Sequence, residues 1–266
     1  MISLINLCED VVSLAKDVGK FILQEQQNFE TKYIEHKGLN DLVSYVDKQA
    51  EERICLRLAQ LLPEAGFITE ENPENQIISN REYHWIVDPL DGTTNFIHKL
   101  PIFAISIALM KEKEIVLGVV YEINKDECFY AIKNGGAFCN NKVIEISGNK
   151  TLAASLVATG FPYHFFGKNI QYLQILNDLM QKTQGLRRLG SAAVDLAYVA
   201  CGRFEAFFEF NLKPWDVAAG ALLVQEAGGK VGKFDASEDF VFGKEILAAE
   251  SNIFLEMQEV IAKYWI

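Results

Sequence analysis

Two carboxylates stand close together in Trp85-Ile-Val-Asp88-Pro-Leu-Asp91-Gly-Thr-Thr-Asn95-Phe96, directly after an apolar run. Pro89 has a fixed φ and no N–H to donate, so it makes a rigid exit from a strand. Gly92 permits a tight turn next to it. Asp88, the Leu90 carbonyl and Asp91 can then aim at one point. Two carboxylates and a carbonyl are hard oxygen donors. They suit Mg²⁺, which keeps waters and shares the phosphate oxygens of a substrate. If a helix starts at Gly92-Thr93-Thr94, the free backbone N–H groups there would hold a phosphate. Asp-Pro and Asp-Gly are also ordinary turn chemistry, and the string alone leaves both readings open.

Other acids lie within reach of the same chemistry. Glu70 and Glu71 follow a short apolar stretch, Gly66-Phe-Ile68, and Asp216 follows Trp215 at the head of another. Taken singly, Asp216 reads as a helix N-cap and the two glutamates as solvated loop charge. Asp41 and Asp47 flank a helix start. Spacing does not show that these groups converge.

Rigid elements must position them. Leu7, Val11, Leu14, Ala15, Val18 and Ile22 share one face of an amphipathic helix predicted over residues 3–24. A second helix is predicted over 44–62, where Ser44 and Asp47 have the spacing of a capping box and Pro63 closes the segment. Short strands over 66–69 and 83–87 enclose a polar loop, 70–82. Runs at 102–110, 115–123, 127–133 and 143–146 read as an antiparallel meander. Past Gly148 the pattern alternates. Strands at 155–159, 186–189, 204–210 and 246–249 precede helices at 169–183, 191–201, 216–227 and 252–264, the strand at 204–210 feeding the third. The class is α+β over 1–148 and α/β over 149–266, the two parts forming one compact unit.

Composition narrows the function. Half of the 266 residues are hydrophobic, enough for a large buried core, and the net charge is −11. Without a cationic cluster, nucleic-acid binding is disfavoured. An acidic protein that handles phosphate needs a metal ion to invert the local sign. Cys8, Cys55, Cys128, Cys139 and Cys201 are odd in number and widely spaced, which points to free thiols in a reducing cytoplasm. The first residues make a poor signal peptide, and no apolar run approaches the roughly 20 residues of a membrane span.

The chain resembles the inositol monophosphatase family across nearly its whole length. The resemblance rests on Asp41-Leu-Val-Ser-Tyr-Val-Asp47, Phe67-Ile-Thr-Glu70-Glu71, the Trp85–Phe96 string, Gly190-Ser-Ala-Ala193, Trp215-Asp216-Val-Ala-Ala-Gly220 and Glu226-Ala-Gly-Gly229, in that order. It implies a layered α-β-α-β-α sandwich, a homodimer, and two or three Mg²⁺ ions held by Glu70, Asp88, the Leu90 carbonyl, Asp91 and Asp216. It further implies a water activated near Glu70 and Thr93, a phosphate held from Asp91 through Gly92 and Thr93 to Thr94, and a polyol contacted by Gly190, Ser191, Ala192, Glu209 and Asp216. Lithium inhibition belongs to the same expectation. The stretch Leu212-Lys213-Pro214 varies within the family and borders the substrate pocket, so it leaves the substrate open.

The implied reaction is hydrolysis of inositol monophosphate by a metal-activated water. Two metals can position the water, neutralise the phosphoryl oxygens and assist the leaving oxygen. Neither the cysteines nor Ser106 and Ser155 suggest a covalent route. Related phosphatases of 3′-phosphoadenosine nucleotides, fructose 1,6-bisphosphate or histidinol phosphate are alternatives on the same scaffold. A relative acting mainly as a binding partner of the transcription machinery is another.

Overall fold

The computed structural model describes residues 3–30, 34–38, 41–76, 80–161 and 167–265; the side chains of 34–38, 41–43, 73 and 76, that of Asp41 included, lie outside the description. The apolar face predicted at the N-terminus forms α1 (Leu4–Gln27), which buries Leu7, Val11, Ala15, Val18 and Ile22. A hairpin, β1 (Ile34–Gly38) and β2 (Asp41–Ser44), follows where no strand was expected. Its short, mixed-polarity strands carry no alternation to read. Asp41 opens β2, and with Asp47 it flanks the start of the next helix as expected. The capping box forms as predicted at α2 (Tyr45–Leu61): Ser44 donates its N–H and its hydroxyl to Asp47 Oδ2, at 2.9 and 2.6 Å.

Among the described residues, seven strands make the first sheet: β3 (Gly66–Thr69), β4 (Tyr83–Asp91), β5 (Ala104–Lys111), β6 (Glu114–Glu122), β7 (Glu127–Ile132), β8 (Ala137–Cys139) and β9 (Lys142–Ile144), in sequence order. All neighbours are antiparallel except β3, which runs parallel to β4. A short helical turn, α3 (Thr93–Ile97), interrupts the path from β4 to β5. The second sheet has the order β11-β10-β12-β14-β13. It is built from β10 (Leu156–Thr159), β11 (Gly185–Arg187), β12 (Ala206–Phe210), β13 (Lys230–Gly232) and β14 (Glu245–Ala249). β8 and β13, three residues each, are too short for a periodic signal and were not expected.

The remaining helices are α4 (Asn169–Lys182), α5 (Ala192–Ala200), α6 (Pro214–Glu226) and α7 (Ser251–Ala262). Side chains alternate across a strand, and β4 shows the consequence. Trp85 and Val87 pack under α1 and α2, while Ile86 faces α5 and α6. The other side of that helix pair meets Phe207, Ile246 and Ala248 of the second sheet. α4 and α7 cover the outer face, against Val157, Phe208 and Leu247. The layers are thus α-β-α-β-α, with α5 and α6 as the shared middle. Apolar residues line every side of α6, as burial between two sheets demands. At its end Glu226 accepts N–H bonds from Asn134 (2.7 Å) and Gly136 (2.9 Å), tying it to the β7–β8 turn.

Candidate active site

Pro89 does not end β4, contrary to the expectation of a rigid exit. The strand runs on to Asp91, and its register with β5 shifts on the way. Asp88 pairs with Ser106 and Asp91 with Ala104, so three steps on β4 match two on β5. One extra residue in a strand is a bulge, and proline is tolerated there because the ladder is already broken. In a regular strand, residues three apart would face opposite sides. The bulge cancels that, and both aspartates stand opposite residues that share a face. Ser106 donates its hydroxyl to the Trp215 carbonyl at 2.9 Å, so this face looks onto the middle helices.

The N-termini of those helices receive the carboxylates. Asp91 Oδ2 accepts the Ser191 hydroxyl (2.6 Å) and the Ala193 N–H (2.7 Å) at the start of α5. Asp216 is the third residue of α6, after Pro214, rather than its N-cap, and its Oδ2 accepts the Lys213 N–H at 2.6 Å. Asp88 Oδ1 accepts the Leu90 N–H at 2.9 Å. Glu70 follows directly on β3, whose Thr69 pairs with Val87, which sets Glu70 beside Asp88.

Gly92 has φ 96° and starts α3, a conformation that a side chain would resist. A Cβ there would also meet the Gly190 carbonyl at 3.2 Å. The first bond of the turn runs from Phe96 N–H to the Gly92 carbonyl, leaving the N–H groups of Thr93 and Thr94 ahead of the helical ladder. Asn95 Nδ2 donates to the carbonyls of Ile102 (2.7 Å) and Leu189 (2.9 Å), which fixes the turn against the segment carrying Gly190, Ser191 and Ala192.

Sequence reasoning missed Asp47 as a member of the site. Its Oδ1 lies 2.9 Å from Thr93 Oγ1, which is also 3.1 Å from the Leu90 carbonyl. The single hydroxyl proton serves one of these acceptors at a time. The capping-box spacing revealed one oxygen of Asp47; the partner of the other is distant in sequence. Glu51, also buried, was missed in the same way: it takes the Thr69 hydroxyl (2.9 Å) and the Glu71 N–H (2.7 Å), bracing the end of β3.

The electrostatics follow from burial. Asp88 is pushed well above the usual carboxylate range by burial first, then by Glu70, Asp91 and Asp216. Burial raises Asp91 to about 6 against the donors of Ser191 and Ala193 and the Arg188 charge. Asp216 rises to about 7 through burial and Asp91. Glu209, buried on β12, rises to about 8 through burial, opposed by Arg188 and reinforced by Asp216 and Asp91. Among the described residues, no three His, Cys, Asp or Glu side chains are grouped so as to hold a metal ion as they stand. The donor set nonetheless fits a hard cation. The acids repel one another, the hydrogen bonds above use one oxygen each of Asp88, Asp91 and Asp216, and Mg²⁺ needs only one or two carboxylates besides waters and substrate.

The cysteines offer no alternative nucleophile. Cys8 and Cys128 are buried and the other three half-buried, and burial pushes all five thiols up, Cys8, Cys55 and Cys128 to about 12.

Layers and site together define an α/β hydrolytic scaffold. A solved structure, the extragenic suppressor protein suhB from Bartonella henselae, is similar over 97% of this chain and 99% of its own, with TM-score 0.89 and 38% identity. A staphylococcal inositol monophosphatase solved as a LiCl-soaked inhibitory complex has TM-score 0.86 at 26% identity, covering 98% of this chain and 96% of that one. Among characterised sequences, an inositol-1-monophosphatase of Mesorhizobium japonicum is 39% identical over 94% of this chain and 91% of its own length. A protein named putative Nus factor SuhB, from Neisseria meningitidis, is 38% identical over 94% and 95%. The family model "Inositol monophosphatase family" matches residues 6–265. The chain belongs to the inositol monophosphatase family, a family of phosphatases.

Proposed function

We propose that this protein hydrolyses inositol monophosphate to inositol and phosphate, using Mg²⁺ and a water nucleophile. The observation that carries the reading is the β4 bulge, which turns buried Asp88 and half-buried Asp91 together toward half-buried Asp216 in a self-repelling set. Glu70, Asp88, the Leu90 carbonyl, Asp91 and Asp216 would hold two or three ions. Bound Mg²⁺ supplies the charge that acidifies a water and offsets the phosphoryl and leaving oxygens.

The chain's own groups do the rest. Asp91 and the N–H groups of Gly92, Thr93 and Thr94 receive the phosphate. With its proton toward Asp47, the Thr93 hydroxyl keeps a lone pair for the water and orients it beside Glu70. The water's proton passes to Thr93 Oγ1 as the threonine proton moves to Asp47 Oδ1. Burial raises the Asp47 carboxyl, which suits a proton acceptor. Gly190, Ser191, Ala192 and Glu209 face the polyol, with Asp216 at the leaving oxygen. Glu209 is protonated in part near neutral pH and can both donate to and accept from hydroxyls.

We place the enzyme in the cytoplasm as a homodimer. Among the described residues no helix is long and apolar enough to cross a membrane. The name of the Neisseria relative favours a second reading, binding to the transcription machinery. Chelation tests the first reading: activity on inositol 1-phosphate is expected to vanish with excess chelator and to return with Mg²⁺. Full activity in chelator would end the metal mechanism.

A further inference from the structure

The carboxylate of Glu209 lies flat against Gly160, the residue that follows β10. A Cβ at position 160 would stand 2.0 Å from Glu209 Oε2, 2.2 Å from Cδ and 2.2 Å from Oε1. The backbone there does not call for glycine, since Gly160 is absent from the glycines of positive φ. The three atoms nearest such a Cβ all belong to the Glu209 carboxylate. β10 cannot easily move back from it. Thr159 pairs with Phe208, and the Thr159 hydroxyl donates to the Phe208 carbonyl at 2.9 Å. The Tyr172 hydroxyl, 2.5 Å from Thr159 Oγ1 and 3.2 Å from the Phe208 carbonyl, closes the same joint. Backbone and hydrogen bonds are therefore fixed on one side, and a long side chain is free to yield on the other.

We infer that Gly160 is a positioning residue that sets how deeply Glu209 sits, and so which polyol the site accepts. A bare backbone at 160 seats the carboxylate at its present depth; a methyl group there displaces it into the space a sugar ring would need. The inference rests on the reading that Glu209 faces the polyol. It adds a specificity determinant that touches no substrate and belongs to none of the motifs. The Thr-Gly-Phe run at 159–161 gave no sign of it, because the contact is made across a strand pair and not along the chain.

Gly160→Ala, Glu209→Ala and the double variant decide it, each assayed with Mg²⁺ on inositol 1-phosphate and on an aryl phosphate. Gly160→Ala is expected to lower the ratio of kcat/KM on inositol 1-phosphate to that on the aryl phosphate by about tenfold or more. In the Glu209→Ala background the same change is expected to lower the ratio no further, since nothing remains to displace. A crystal structure of Gly160→Ala should show the Glu209 carboxylate moved by about 1 Å or more, beyond the roughly 0.5 Å within which a site keeps its geometry. An unmoved carboxylate, or losses that simply multiply in the double variant, would overturn the inference. If Glu209→Ala leaves the ratio unchanged, the polyol reading of Glu209 fails instead. The position of the carboxylate in the Gly160→Ala crystal then still decides whether Gly160 seats it.

Discussion

The proposed metal end of the site and the proposed polyol end use the same side-chain chemistry in different settings. At the metal end, Asp91 accepts two hydrogen bonds from the start of α5 and Asp216 one from the start of α6. Those donors and helix N-termini favour the charged form. At the proposed polyol end, Glu209 is buried on β12 and Asp195 on α5, and Asp195 Oδ1 meets no hydrogen-bond donor among the described residues. Burial raises Asp195 well above the usual range, and Glu209 reinforces it. Burial raises the acids at both ends; hydrogen-bond donors offset part of that rise at Asp91 and Asp216, and no hydrogen bond offsets it at Asp195.

The largest effect that would break this contrast is at Asp91. Asp91→Asn is expected to cut turnover by about 10³-fold or more, because a metal ligand sets the field felt by the transition state. Its metal-free thermal midpoint should stay the same or rise slightly, since one of several repelling charges is gone. Stabilisation by Mg²⁺ should be mostly lost. Melts with and without Mg²⁺ beside a phosphate-release assay measure all three, and near-normal turnover would remove Asp91 from the metal site.

Thr93→Val comes next. It deletes the hydroxyl shared with Asp47 and should lower kcat by about 10²-fold, within the range for positioned proton transfer. A loss confined to KM would show that Thr93 only binds. Glu209→Gln sharpens the other end: kcat/KM on inositol 1-phosphate should fall about tenfold further than on an aryl phosphate. Equal losses on both would deny Glu209 a role in choosing the polyol.

The smallest effect is on stability against pH. Asp91, Asp216 and Glu209 titrate near 6, 7 and 8 in the fold, against roughly 4 for unfolded carboxylates. Between those limits the folded protein binds more protons than the unfolded chain, so its stability falls as pH rises from about 5 to about 8. The metal-free midpoint should decline across that window by several degrees, and Mg²⁺ should flatten the decline. A midpoint that climbs with pH in the absence of metal would contradict the raised acids.

Much of the scaffold could be read from the chain because its signals are local. The face of α1, the capping box of α2 and the apolar strands all repeat within a few residues. Asp88, Asp91 and Asp216 announced themselves through their neighbours Pro89, Gly92 and Trp215. What stayed hidden depends on distant partners. The bulge shows only when β4 is laid against β5. Asp47 meets Thr93 across 46 residues, and Glu51 meets Thr69 across 18. The hairpin β1–β2 and the three-residue strands β8 and β13 are held by their neighbours rather than by pattern.

The shared middle layer also bears on how the chain is made. The first sheet ends at Ile144, yet the helix that covers its inner face is complete only at Glu226. At a synthesis rate of about 5–20 residues per second, that face waits roughly 4–16 s for its cover. Ile86, Ala108, Val120 and Phe129 are the residues left wet meanwhile. A nascent chain paused in this interval is the species that a ribosome-bound chaperone would meet.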